Sequence, residues 1–142
     1  MNTQKFLVSG IVGGIMSFFA GYLIYGLVMA DFFAKHGGTD TAAMKKMEEY
    51  AWWALVVGSL FQGFLLSYIF NKWANITSLG NGAVAGGVVG FFVSGAFDFM
   101  MFATTNLSTI ESLIADVLCG AVMYGLIGAA VGFMNGVGKK AA

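Results

Sequence analysis

Uncharged apolar runs divide this chain into four long segments. Residues 6–30 and 50–71 contain no charged side chain, residues 82–105 contain only Asp98, and residues 110–135 contain Glu111 and Asp116. A helix needs roughly 20 apolar residues to cross the hydrocarbon of a bilayer, and each run meets that length. The pattern predicts four membrane-spanning helices over about 6–31, 50–71, 82–105 and 110–135. The expected fold is an all-α integral membrane four-helix bundle, with residues 1–142 forming a single transmembrane domain. The first run, preceded by Lys5 and ending on Val28-Met29-Ala30, has a rival reading as a secretory signal. Hydrophobic cores of such signals run only about 7–15 residues, so an uncleaved helix is expected.

Inside the third and fourth runs, small residues recur every four positions. Gly82, Gly86, Gly90 and Ser94 lead to Asp98, and the reverse order follows in Ser112, Asp116, Gly120, Tyr124, Gly128, Gly132 and Gly136. On helices these positions form continuous ridges with almost no side chains. Antiparallel packing of the two ridges would set glycine against glycine and bring both aspartates to one end. Ser59, Gly63 and Ser67 offer a similar ridge on the second helix. Gly10 and Gly14 on the first are expected to be free to join protomers. The first and third helices also share a pattern, Gly13-Gly14-x-x-Ser17-Phe18-Phe19 against Gly86-Gly87-x-x-Gly90-Phe91-Phe92, which aligns Gly21 with Ser94 and Tyr25 with Asp98. Gly58 and Gly63 align with Gly120 and Gly125. Two helical hairpins related by a parallel internal repeat are the architecture this implies.

Composition sharpens the membrane reading. Hydrophobic residues make up 58% of the 142, charged residues 10%, and there are 21 glycines and no proline. A soluble domain of this size cannot hide so much apolar surface, so the lipid bilayer is the expected environment. Helices without proline are expected to run straight. The formal net charge is zero, which argues against nucleic acid as a partner. One cysteine, Cys119, excludes an internal disulfide and cysteine-based metal clusters.

The connecting segments hold most of the charge. Residues 31–49 read as a solvated extension of the second helix, favoured over an interfacial amphipathic helix, with Thr39, Asp40 or Thr41 as its cap. Tyr50, Trp52, Trp53 and Trp73 stand where interfacial aromatics are expected. Both termini fall on one side, with Lys5, Lys72, Lys139 and Lys140 and no acids. The other side holds Lys35, Lys45 and Lys46. The positive-inside rule then gives cytoplasmic termini and a multi-pass protein of the cell inner membrane.

Polar chemistry inside the spans is sparse. Ionisable groups at membrane depth are costly and default to a functional reading. A polar intramembrane site is therefore expected from Asp98, Asp116, Gln62, Tyr25, Tyr124 and Asp31, in which two like charges would call for a proton or a cation between them. The competing reading has each aspartate bonded locally and merely fixing helix register. Gln62, in mid-span, needs a partner from another helix. His36 is the only histidine and has no neighbouring ligands in sequence, so neither a metal site nor a cofactor is expected. One loop histidine supplies no catalytic triad, and the glycine-rich stretches lack the strand-turn-helix context of a phosphate loop.

At Gly21-Tyr22-x-x-Tyr25-Gly26, Asp31-Phe32-Phe33, Phe97-Asp98 and Thr104-Thr105-Asn106 the chain resembles a group of small bacterial four-helix inner-membrane proteins of unknown function. That resemblance implies a bacterial inner-membrane protein with four spans and carries no activity. The expected function is that of a non-enzymatic accessory or self-assembling membrane protein, working as a homo-oligomer or within a larger membrane complex. The alternative is a small cation- or proton-coupled transporter or channel that uses the intramembrane carboxylates. The feature that separates them is whether Asp98, Asp116 and Gln62 converge on a hydrated cavity or each find a local partner in a dry interface.

Overall fold

The computed structural model describes residues 2–39, 43 and 45–138. Four helical segments are long and apolar enough to cross a membrane: Thr3–Val28, Trp52–Ala74, Leu79–Thr104 and Ile110–Gly136. They make an all-α bundle in which consecutive spans run antiparallel. The first comprises α1 (Thr3–Gly21) and a π-helical continuation over Tyr22–Val28, after which a short α2 (Ala30–His36) follows. The second is α3 (Trp52–Ile69) with its own π-helical end, Phe70–Ala74. The last two are α4 (Leu79–Thr104) and α5 (Ile110–Gly136).

Polar side chains set where the helices begin. The side chain of Asn2 accepts from the backbone N–H of Lys5, and that of Ser78 from Asn81. Thr109 accepts from the Ser112 N–H while the Ser112 hydroxyl receives the Thr109 N–H at 2.9 Å. These pairs satisfy orphan donors of the first turn. Asn75, with φ 50°, takes the left-handed conformation that ends the second span.

The glycine ridges do what their spacing predicts. Gly82, Gly86 and Gly90 are buried against Gly120, Tyr124, Gly128 and Gly132 in descending order. A Cβ added at Gly86 would meet the Gly128 Cα at 2.9 Å, and one at Gly90 would meet the Gly120 carbonyl at 2.7 Å. Only hydrogen fits there, so the α4 and α5 backbones are in direct contact, the close approach that drives association in lipid. Ser94 packs on Gly120 at the end of this seam.

The first hairpin closes in the same way. Gly13 of α1 lies over Gly63 of α3, whose Cα a Cβ on Gly13 would meet at 3.0 Å. Gly10 and Gly14 are buried against Phe64 and Leu60 of the same helix. They are therefore occupied within the chain, contrary to the expectation that they are left over for a second protomer. The two hairpins meet through α1 and α3 on α5, around a core of Leu66, Phe70, Met123, Ile127 and Val131. By contrast, α4 packs principally against α5. A cleft floored by α5 therefore separates α4 from α1 and α3.

The spans, which lack proline, carry two π-helical stretches, Tyr22–Val28 and Phe70–Ala74. One further expectation changes. The extension of the second helix is not formed over the described part of 45–51, where Met47–Glu49 make a single 3-10 turn and α3 starts only at Trp52. Asp40, Thr41, Ala42 and the terminal Lys139-Lys140 lie outside the described residues. Thr39 lies at an exposed bend. The chain after α2 instead pairs with the α4–α5 connection: the Gly38 N–H donates to the Leu107 carbonyl at 3.1 Å, and the Thr109 hydroxyl to the His36 carbonyl at 2.6 Å.

Candidate functional site

Five of the six residues expected to form an intramembrane site line one cavity. It has a volume of about 340 Å³ and is bounded by Tyr25, Gln62, Asp98, Asp116 and Tyr124, together with Val93, Ser94, Phe97 and Met123. All four spans contribute. Asp98 and Asp116 are brought there by the glycine seam, since each lies one turn beyond its last contact, Ser94 on α4 and Gly120 on α5. Counted at the helical rise, both acids stand about 10 Å from the middle of their spans. Gln62 and Tyr124 lie close to the middle of theirs, so the cavity runs from mid-membrane toward the end opposite the termini.

Tyr25 reaches the acids from the π-helical stretch of the first span. Its hydroxyl donates to the Asp116 carboxylate at 2.6 Å. A π-helical turn re-aims side chains relative to an α-helix and recurs at functional positions. Phe33 of α2 stacks on the Tyr25 ring, with centroids 5.7 Å apart, and holds it in place. Gln62 finds the partner its position demanded: the Ser17 hydroxyl of α1 donates to its amide oxygen. Asp98 is different. Its Oδ2 is buried with no donor in reach among the described residues, and the carboxyl group of Asp116 is the polar neighbour beside it. An unsatisfied buried polar atom is unfavourable unless something else occupies it. Among the described residues no lysine, arginine or histidine lines the cavity, so none of them offsets the two carboxylates. That arrangement accommodates a proton or a small cation.

Asp31 is not part of the site. It is exposed in the first turn of α2, where an acid complements the helix N-terminus. His36 is engaged locally: its Nδ1 is 3.0 Å from the Phe32 carbonyl, and its ring stacks on Phe32 at 4.3 Å. Cys119 is half-buried on α5.

A second cavity, about 470 Å³, opens between the first span and α3 on the side away from the termini. Tyr22, Phe18, Tyr50 and Trp52 line it, and it shares Tyr25, Gln62 and Met123 with the acid-bearing cavity. Those three side chains form the common wall.

The opposite end of the bundle carries a polar cluster that sequence reasoning missed. Ser9 and Ser67 share a hydrogen bond of 2.8 Å, and Ser67 donates to the Phe6 carbonyl at 2.7 Å. Asn71 donates to Ser67 and, at 3.0 Å, to the side-chain oxygen of Asn135. Asn135 in turn donates to the Ile76 carbonyl at 3.2 Å, while Lys5 donates to the Asn135 carbonyl at 3.1 Å. Each group here has a partner, so the cluster joins α1, α3 and α5 and leaves nothing for a ligand. The signal was present as fourfold spacings, Ser9-Gly13-Ser17 and Ser67-Asn71, but serine and asparagine near helix ends are common.

Comparison with protein-family models, with curated proteins and with solved structures finds no match for this chain.

Proposed function

We propose that this multi-pass membrane protein binds a proton or small cation at Asp98 and Asp116 and conducts or exchanges it across the bilayer. It does so without enzymatic chemistry. The observation that carries this reading is the convergence of Asp98, Asp116, Gln62, Tyr25 and Tyr124 on one cavity, with one carboxylate oxygen unpartnered. Asp116 is satisfied by the Tyr25 hydroxyl, but the buried Oδ2 of Asp98 has no donor in reach among the described residues, as a purely structural aspartate would have. Tyr25, hydrogen-bonded to Asp116, is the group that would yield when the carboxylate takes a proton or an ion. The setting we propose is a bacterial inner membrane with cytoplasmic termini, supported by the basic residues Lys5, Lys72, Lys139 and Lys140 in the sequence. The acid-bearing cavity would then face the outer side.

The accessory or self-assembling reading keeps one supporting observation. The α4 helix packs mainly on α5, and Val84, Phe92 and Met100 on its other faces are about 70% exposed. Lipid, a second copy or a larger complex would suit that surface.

Cysteine labelling tests the first reading. In a Cys119→Ser background, Val93→Cys lines the cavity, whereas Phe92→Cys, its neighbour at nearly the same depth, does not. A membrane-impermeant cationic thiol reagent applied from the side opposite the termini should modify Val93→Cys and leave Phe92→Cys untouched. Equal labelling of both, or of neither, contradicts a water-reachable cation site.

A further inference from the structure

The larger cavity has features that the proton or small-cation reading leaves unused. Its volume of about 470 Å³ lies within the few hundred to a thousand Å³ typical of sites for organic ligands. Tyr22, Tyr25, Tyr50 and Trp52 are among the residues that line it. Among the described residues no lysine, arginine or histidine lines it, and its inner polar side chains, Ser17, Ser59 and Gln62, are neutral. Behind the shared wall of Tyr25, Gln62 and Met123 stand the two carboxylates. Aromatic faces attract cations through the ring quadrupole, most strongly when water is excluded. An apolar body with a positive centre therefore matches this cavity at both ends: rings around the body, and negative charge within reach of the centre.

We propose that the cavity between the first span and α3 is a binding site for a lipophilic organic cation, with Trp52 and Tyr50 at its mouth and Asp116, reached past Tyr25, as its counter-charge. This proposal rests on the carboxylate site described above and assigns it a class of substrate. The ligand's positive centre would compete with the Tyr25 hydroxyl for Asp116, so occupation of the larger cavity and release of the Tyr25–Asp116 hydrogen bond are one event.

The test is equilibrium binding to the purified full chain in mild detergent, read by quenching of tryptophan fluorescence and confirmed by isothermal titration. The probes are tetraphenylphosphonium and neutral triphenylphosphine oxide. The cation should bind at least tenfold more tightly, a difference of about 1.4 kcal/mol. Asp116→Asn should remove that preference while leaving the neutral probe unchanged. Trp52→Phe, read by titration calorimetry, should keep binding, and Trp52→Ala should weaken it. Thermal melts of each variant establish that it is folded. Equal affinity for both probes, or a preference for the cation that survives Asp116→Asn, overturns the proposal. Proton or sodium flux that depends on Asp98 and Asp116 without any binding of tetraphenylphosphonium would overturn this inference alone and leave the carboxylate site standing.

Discussion

Asn135 is 2% exposed, yet its side chain both accepts from Asn71 and donates to the Ile76 carbonyl. Replacing it with leucine removes the donor to the Ile76 carbonyl and one of the acceptors of the Asn71 amide, which keeps its bond to Ser67. We expect Asn135→Leu to destabilise the protein by about 1–2 kcal/mol, the range for hydrogen bonds between membrane helices and for lost buried partners. Denaturant titration in detergent checks this, and a change below a few tenths would show that water already serves the cluster. The same residue marks a limit of sequence reading. Gln62 announces its need because an amide in mid-span is rare. Asn71 and Asn135 sit at helix ends, where polar side chains are ordinary, and only the fold brings them together. Asp31 fails in the opposite direction. It shares a membrane end with Asp98 and Asp116, but the turn into α2 directs it to the exterior.

At the scale of elements, the seam between α4 and α5 was legible because a spacing of four residues fixes a helical ridge regardless of what faces it. Its strength should be position-specific. A methyl group at Gly86 meets α5 backbone, which cannot move aside cheaply, whereas one at Gly58 or Gly80 meets nothing within 4 Å. Gly86→Ala should therefore lower stability by about 1–3 kcal/mol, as overpacking does. Gly58→Ala should be neutral or stabilising by up to about 1 kcal/mol, through helix propensity. Equal effects at the two sites would show that the seam does not hold the hairpin. The π-helical stretches were not legible. Proline and glycine pairs are the usual sequence marks of helix irregularity, and Tyr22–Val28 contains no proline and only Gly26. The alignment of Tyr25 with Asp98 pointed to the right residue, but the contact it makes, with Asp116, depends on that local widening of the helix.

For the molecule as a whole, the two ends of the bundle are built differently. The end bearing the termini is closed by hydrogen bonds among Ser9, Ser67, Asn71 and Asn135 and by the glycine seam. The other end opens into two adjoining cavities with the carboxylates at their shared wall. A charge held in the acid-bearing cavity can cross only if the hydrogen-bonded end also opens. The terminal polar cluster is the element that would part. Fold class and spans followed from hydropathy alone, whereas the one-sided opening depends on α4 leaving α1 and α3, which no periodicity encodes. Whether the two acids carry charge across the bilayer is read from proton and sodium flux into vesicles carrying the purified chain, driven by a potassium diffusion potential. Flux above that of empty vesicles is expected for at least one of the two ions. That flux should be lost in Asp98→Asn and in Asp116→Asn, with the double variant no worse than either, because the two acids form one site. Undiminished flux in both single variants, or none beyond empty vesicles in the unaltered protein, would contradict charge transport at this site.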